Sequence, residues 1–101
     1  MRRAARTDAN QSAIVDRLRS IGWSVHVTSA LGGGFPDLVV ARDRYTVLVE
    51  IKDGDKPASA RKLTKDEREF ARDWPGHYIV ATSPDDADVK LCEIYYDTAN
   101  L

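Results

Sequence analysis

The chain has 101 residues and a mass of 11.3 kDa, which fits one folded domain and excludes a two-domain protein. Its 43% hydrophobic and 31% charged residues exclude a disordered chain. A single cysteine, Cys92, excludes a disulfide framework and a thiolate zinc site. No apolar run approaches the roughly 18 residues of a membrane span, and none follows the first arginines as in a signal peptide. We therefore expect a single cytoplasmic domain over residues 1–101, with a flexible basic segment at residues 1–6 and no membrane partner.

The net charge of −1 conceals two oppositely charged parts of the chain. Residues 1–72 carry 14 Lys/Arg and 10 Asp/Glu, a balance of +4, whereas residues 73–101 carry 1 and 6, a balance of −5. The basic part predicts a surface that attracts phosphate groups, although solvated helix faces of mixed charge are the alternative. The acidic part would repel DNA, so we interpret it as a possible contact for a protein partner.

The first predicted element is a helix over residues 8–21, with Thr7 as its N-cap. Its apolar stripe includes one polar residue, Gln11. Alternating apolar and polar residues over 23–28 predict a strand. The three glycines at 32–34 cannot hold regular structure cheaply, so they predict a loop, which we interpret as a mobile flap.

Two segments rich in β-branched residues, 37–41 and 45–52, predict a hairpin of two strands buried on both faces. A two-residue turn at Asp43 and Arg44 places residue 38 opposite residue 49. In that antiparallel register residue 37 lies opposite residue 50, so Asp37 faces Glu50.

A polar loop over residues 53–62 follows the hairpin. A capping box formed by Thr64 and Glu67 predicts a second helix that ends near residue 73. Residues 77–82 predict a further strand, and the residues from Ser83 onward predict a last helix, with a strand from residue 89 as the alternative. The element order αβββαβα indicates an α/β fold with a mixed sheet flanked by helices.

The opposed carboxylates Asp37 and Glu50 form an unfavourable contact unless they share a proton, lie beside a cation or bind a metal. A hard divalent ion such as Mg²⁺ takes carboxylate oxygens and needs no His or Cys ligand. Lys52 is two residues beyond Glu50 and so points to the same face of the sheet. An ammonium group there can orient a nucleophilic water and offset charge on a phosphate. The alternative is a turn residue at Asp37 and exposed strand-end charges at Glu50 and Lys52.

Pro36 and Asp37, then twelve residues, then Glu50, Ile51 and Lys52 resemble the signature of the PD-(D/E)xK nuclease superfamily. The surroundings over about residues 8–95 resemble its small VRR-NUC branch, whose stand-alone members are found in bacteria and phages. The resemblance implies a restriction-endonuclease-like core. It also implies a divalent-metal-dependent DNA endonuclease, a phosphodiesterase with a possible preference for junctions or flaps.

The resemblance also implies roles for individual residues. Asp37 and Glu50 would bind Mg²⁺ or Mn²⁺ together with the Ile51 carbonyl, and Lys52 would position the attacking water. Possible accessory residues come from the first and second helices: Asp8, Gln11 and Glu67. The branch commonly has Gln where this chain has Glu67, and helix capping explains Glu67 without any catalytic role. Gln11 has a similar alternative as an amide at the margin of the core.

Four basic residues near the predicted strand end are candidates for gripping the DNA backbone: Lys56, Arg61, Lys62 and Lys65. A plain linker is the alternative for most of this segment. A chain of this length has no separate recognition domain, so we expect specificity to come from a homodimer or from a partner protein. The alternative functions are a non-catalytic nucleic-acid-binding or regulatory module that keeps the nuclease fold, and a structural subunit.

Overall fold

The computed structural model describes residues 10–99, with side chains described up to residue 96. This part of the chain is an α/β fold with three α-helices and one four-stranded mixed sheet, in the predicted order. The helices are α1 (Gln11–Ser20), α2 (Lys65–Asp73) and α3 (Pro84–Ala99), and the strands are β1 (Ser24–Val27), β2 (Leu38–Arg42), β3 (Tyr45–Ile51) and β4 (His77–Ala81). Thr7, Asp8 and the basic residues 1–6 lie outside the described residues.

The sheet has the order β1-β2-β3-β4, with antiparallel pairing between the first three strands and parallel pairing of β4 with β3. Leu38 pairs with Val49, so the predicted hairpin register is confirmed. The turn residues Asp43 and Arg44 have φ angles of 49° and 72°. Two consecutive left-handed residues are typical of the tight hairpin turn whose twist matches that of the strands.

One face of the sheet is buried beneath α1 and α3. The core on this side joins buried residues of both helices to alternate residues of the strands: Ile14, Leu18, Val25, Leu38, Val40, Val47, Val49, Ile51, Ile79, Ala81, Ala87 and Leu91. The alternation follows from the opposite directions of successive strand side chains. We refer to this side as the core face.

The opposite side of the sheet, which we call the α2 face, is covered only in part. Phe70 of α2 packs against Phe35 and against Tyr78 of β4, with ring centroids 5.3 and 6.4 Å apart. β3 is buried on both faces from Val47 to Ile51, but Val39 of β2 is only half-buried. The prediction that both hairpin strands are buried on both faces is therefore wrong for β2, because the contacts of α2 run toward β4 and the end of β3.

The structure also has two short helical turns: Ser29–Leu31, between the first predicted strand and the glycine loop, and Ala58–Arg61, within the predicted polar loop. The last element is a helix, not the alternative strand. Its start is fixed because Ser83 Oγ accepts the Asp86 N–H at 3.0 Å. Within residues 10–99, no helix is long and apolar enough to cross a membrane.

Candidate active site

Asp37 and Glu50 lie at one end of the β2–β3 hairpin, next to its last backbone pair, Leu38 with Val49. Asp37 is held at this end because its carbonyl accepts the Thr28 N–H at 2.7 Å and its Oδ2 accepts the Ile51 N–H at 2.8 Å. After burial, the charge of Asp37 has the largest effect on the pKa of Glu50, so the two carboxyl groups are close neighbours. Glu50 is only 3% exposed, so this contact is shielded from water.

The charge state of Glu50 reflects this surrounding. Burial, followed by the negative charges of Asp37 and Glu67, raises the pKa of Glu50 to about 9, and the opposing effect of Lys52 is smaller. At neutral pH and without a cation, Glu50 therefore holds a proton. A divalent cation is the natural replacement for that proton, since it offsets the charge of both carboxylates at once.

Lys52 lies on the α2 face beside Glu50, as strand alternation predicts. Its Nζ is 3.7 Å from Glu50 Oε2 and 2.8 Å from Glu67 Oε1, and the side chain is 13% exposed. The ammonium group of Lys52 therefore lies between two carboxyl groups at the end of β3. The structure thus brings Asp37, Glu50, Lys52 and Glu67 into one cluster, which we call the carboxylate–lysine cluster.

Glu67 caps α2, as one of the two sequence alternatives predicts, and it also contacts Lys52; its role as an accessory site residue stays a prediction. The capping box is confirmed: Thr64 Oγ1 accepts the Glu67 N–H at 3.2 Å, and Glu67 Oε1 accepts the Thr64 N–H at 2.8 Å. The same oxygen also accepts from Lys52 Nζ. Burial alone would raise the pKa of Glu67, but the hydrogen bonds from Lys52 and Thr64 outweigh it and hold the pKa below its ordinary value.

The donor set at the strand end fits a hard cation with two side-chain ligands. No group of three or more His, Cys, Asp or Glu side chains in the described part of the chain is arranged to hold a metal. An ion would therefore use Asp37, Glu50 and a backbone oxygen, with water completing its coordination, as Mg²⁺ usually does. Because the Ile51 N–H points toward Asp37, the Ile51 carbonyl opens to the same side of β3.

Gln11 and Asn10 connect the start of α1 to this end of the sheet. Gln11 is 9% exposed, and its Oε1 accepts from Ser29 Oγ at 2.9 Å, so Gln11 reaches Asp37 only through Ser29. Asn10 Nδ2 donates to the carbonyls of Thr82 at 2.9 Å and Lys52 at 3.4 Å. Asp8, the other predicted accessory residue, lies outside the described residues.

The glycine loop is anchored at one end. Gly34 has φ +85°, and a Cβ atom there would lie 2.5 Å from the Asp66 carbonyl oxygen of α2. Gly32 and Gly33 also have positive φ angles, but a Cβ atom at either position would meet nothing within 4 Å. The close approach of Gly34 to α2 fixes the chain just before Asp37. Gly32 and Gly33, in contrast, have room for a side chain.

The four basic residues predicted to contact DNA are all exposed and lie in the segment that follows Lys52 or at the start of α2: Lys56, Arg61, Lys62 and Lys65. Arg61 Nε donates to the Lys56 carbonyl at 2.9 Å, which holds this segment in a compact turn. The acidic residues of the last third are partly neutralised within the chain, since Arg17 pairs with Asp85 at 2.8 Å and with Asp88 at 3.0 Å.

Two residues near the cluster were not singled out from the sequence. Asn10 holds the ends of β3 and β4 together, and Tyr78 lies on the α2 face with its hydroxyl buried. The register of β4 against β3 would have identified Tyr78, because Val80, two residues later, pairs with Glu50. Comparison of the chain with models of protein families, with curated proteins and with solved structures finds no match.

Proposed function

We propose that this protein is a divalent-metal-dependent nuclease of the PD-(D/E)xK kind, close to its VRR-NUC branch, that hydrolyses phosphodiester bonds in DNA. The observation that supports the proposal is the convergence of the Asp37 and Glu50 carboxyl groups with Lys52 at one end of the hairpin. Two carboxyl groups together in a buried site are unfavourable unless a shared proton or a cation compensates for their charge, and a bound divalent ion compensates for both at once.

Each residue of the cluster has a distinct role in this proposal. Asp37, Glu50 and the Ile51 carbonyl would hold Mg²⁺ or Mn²⁺. When bound, such an ion lowers the pKa of a coordinated water and offsets charge on a phosphate oxygen. Lys52, steadied by Glu67, orients the attacking water and stabilises the negative charge that develops on the phosphate.

DNA is the proposed substrate because exposed basic residues follow the cluster directly. Lys56, Arg61 and Lys62 lie in the segment after Lys52, where they are placed to contact phosphates on either side of the bond to be cleaved. Their replacement should weaken binding of all DNA sequences alike and reduce its salt dependence. A homodimer would present two such sites to a branched or palindromic DNA, and sedimentation with and without DNA tests for one.

The experiment that tests the proposal is a cleavage assay on single-stranded, duplex, flap and four-way DNA with Mn²⁺, Mg²⁺ or chelator. We expect cleavage by the parent with metal only, and loss of cleavage in Asp37→Asn and Glu50→Gln. Asp55→Asn is the matched control, because Asp55 is an exposed carboxylate in the neighbouring loop. Cleavage by Asp37→Asn at the parent rate would refute the proposal.

The same assay separates the nuclease from a non-catalytic module. Such a module would bind DNA equally well with chelator and would not be stabilised by Mn²⁺. A metal site in the folded protein must raise the thermal midpoint as Mn²⁺ is added, since only the folded chain assembles the site. DNA binding without cleavage and without a Mn²⁺-dependent shift would favour the binding module.

A further inference from the structure

Two side-chain polar atoms are buried without a hydrogen-bond partner among the described residues: Asn10 Oδ1 and the Tyr78 hydroxyl oxygen. Native proteins pair nearly all such atoms, so each exception calls for an explanation. The amide nitrogen of Asn10 is engaged with two strand carbonyls, which accounts for the placement of that side chain. The Tyr78 hydroxyl has no such contact, and phenylalanine would fill the same space without a buried polar group.

Tyr78 lies on the same face of the sheet as the carboxylate–lysine cluster. It pairs with Leu48 in the parallel β3–β4 ladder, one side-chain repeat before the pair of Val80 with Glu50. Its ring packs on Phe70 of α2, which is one helical turn after Glu67. The phenol thus lies between the strand that bears Glu50 and the helix that bears Glu67.

The surroundings of the Tyr78 hydroxyl are acidic. Burial, followed by the charges of Glu50, Glu67 and Asp37, raises the pKa of the phenol above its ordinary value. The hydroxyl therefore remains a hydrogen-bond donor at every pH at which the protein would act. A buried donor beside several carboxyl groups is suited to bind one of them.

Glu50 is the carboxyl group that needs this donor once a cation has taken the place of its proton. A carboxylate that binds a metal is normally held by further hydrogen bonds to its oxygens. Asp37 has such a bond from the Ile51 N–H at 2.8 Å, whereas Lys52 Nζ, at 3.7 Å from Glu50 Oε2, is too distant for one.

We propose that Tyr78 is a positioning residue whose hydroxyl, unpaired in this structure, donates to Glu50 once a cation has replaced the Glu50 proton, and so holds that carboxylate in its metal-binding orientation. The inference rests on the proposed function, because it concerns the same cation site. It assigns a use to a buried hydroxyl that the fold leaves unpaired. Tyr78 itself contacts neither the metal nor the substrate.

The test is Tyr78→Phe, measured in two ways on the full chain. In chelator, Tyr78→Phe should raise the thermal midpoint by about 4 °C or more, since it removes an unpaired buried hydroxyl. In titration calorimetry with Mn²⁺ alone, the dissociation constant should increase about tenfold, as is typical when a partner of a metal ligand is removed. A structural role alone would not change the affinity for Mn²⁺.

The matched control is Tyr95→Phe. The Tyr95 hydroxyl donates to Asp43 at the turn end of the hairpin, away from the cluster. Tyr95→Phe should lower the thermal midpoint and leave the Mn²⁺ affinity at the parent value.

Each other outcome has a definite meaning. If the parent and Tyr78→Phe bind Mn²⁺ equally, the positioning role is refuted and the proposed function stands. If Tyr78→Phe does not raise the thermal midpoint in chelator, the hydroxyl already has a partner and the inference is also refuted. If the parent binds no Mn²⁺ and cleaves no DNA, the proposed function fails and the inference fails with it.

Discussion

Lys52 Nζ lies 2.8 Å from Glu67 Oε1, the same oxygen that accepts the Thr64 N–H at 2.8 Å. One carboxylate oxygen of Glu67 therefore caps the N-terminus of α2 and also holds Lys52 at the end of β3. Because both contacts depend on a single atom, the position of the helix and that of the lysine are linked. Loss of this oxygen should therefore affect the stability of the fold and the geometry of the cluster together.

Alanine and glutamine at position 67 differ in whether they keep this oxygen. Glu67→Ala loses half of the capping box and the hydrogen bond to Lys52, so we expect a loss of about 1 to 2 kcal/mol in the free energy of unfolding. Glutamine accepts the same hydrogen bonds, so Glu67→Gln should remain within about 0.5 kcal/mol of the parent. Urea unfolding measures both, with the exposed Glu69→Ala as control. Equal losses in Glu67→Ala and Glu69→Ala would contradict this prediction.

Stability without metal should fall as the pH rises from about 4.5 to about 9, the range between the ordinary pKa of Glu50 and its pKa in the fold. The folded protein retains the proton over this range while the unfolded chain releases it, so Glu50 contributes a slope approaching about −1.4 kcal/mol per pH unit. Glu50→Gln removes the ionisation and should flatten the profile. Thermal unfolding in chelator at several pH values measures the effect, and parallel profiles for parent and variant would refute it.

The parts of the site that depend on local sequence were predictable. A two-residue turn at Asp43 and Arg44 predicts the observed pairing of Leu38 with Val49, and this pairing brings Asp37 and Glu50 to the same end of the hairpin. The capping box at Glu67 follows from a spacing of three residues along the chain.

The contacts between distant segments were not predictable. The bond from Lys52 to Glu67 depends on how α2 packs against the sheet after the intervening loop. Tyr78 lies near the cluster because β4 pairs with β3. No periodicity or motif encodes either contact, because each results from packing between elements. Asp8, predicted from the sequence as an accessory residue of the site, lies outside the described residues and stays a prediction.

Lys52→Met should separate metal binding from catalysis. The lysine is not a proposed ligand, so the variant should bind Mn²⁺ at least as tightly as the parent, since one positive charge has left the site. Cleavage should fall by about 100-fold or more, because the group that orients water and offsets charge is lost. Arg72→Met, at an exposed basic position near the end of α2, is the matched control. Cleavage by Lys52→Met at the parent rate would remove the lysine from the proposed mechanism.

Alanine substitutions in the glycine loop should differ although all three glycines have positive φ angles. At Gly34 a methyl group would collide with the Asp66 carbonyl, 2.5 Å away, whereas at Gly33 it would meet nothing within 4 Å. We expect Gly33→Ala to lose about 1 kcal/mol from backbone strain, and Gly34→Ala to lose about 2 to 3 kcal/mol because α2 must also shift. Chemical denaturation gives both values. Equal losses would show that the approach of Gly34 to α2 does not constrain the loop.

The bonds of Asn10 to the carbonyls of Lys52 and Thr82 span 42 and 72 residues of sequence. During synthesis, the bond to Lys52 becomes available before the bond to Thr82. A chain that stops before residue 82 can join α1 to the end of β3 but not to the end of β4. Synthesis through Thr82 is therefore required before one side chain of the first helix connects both strand ends.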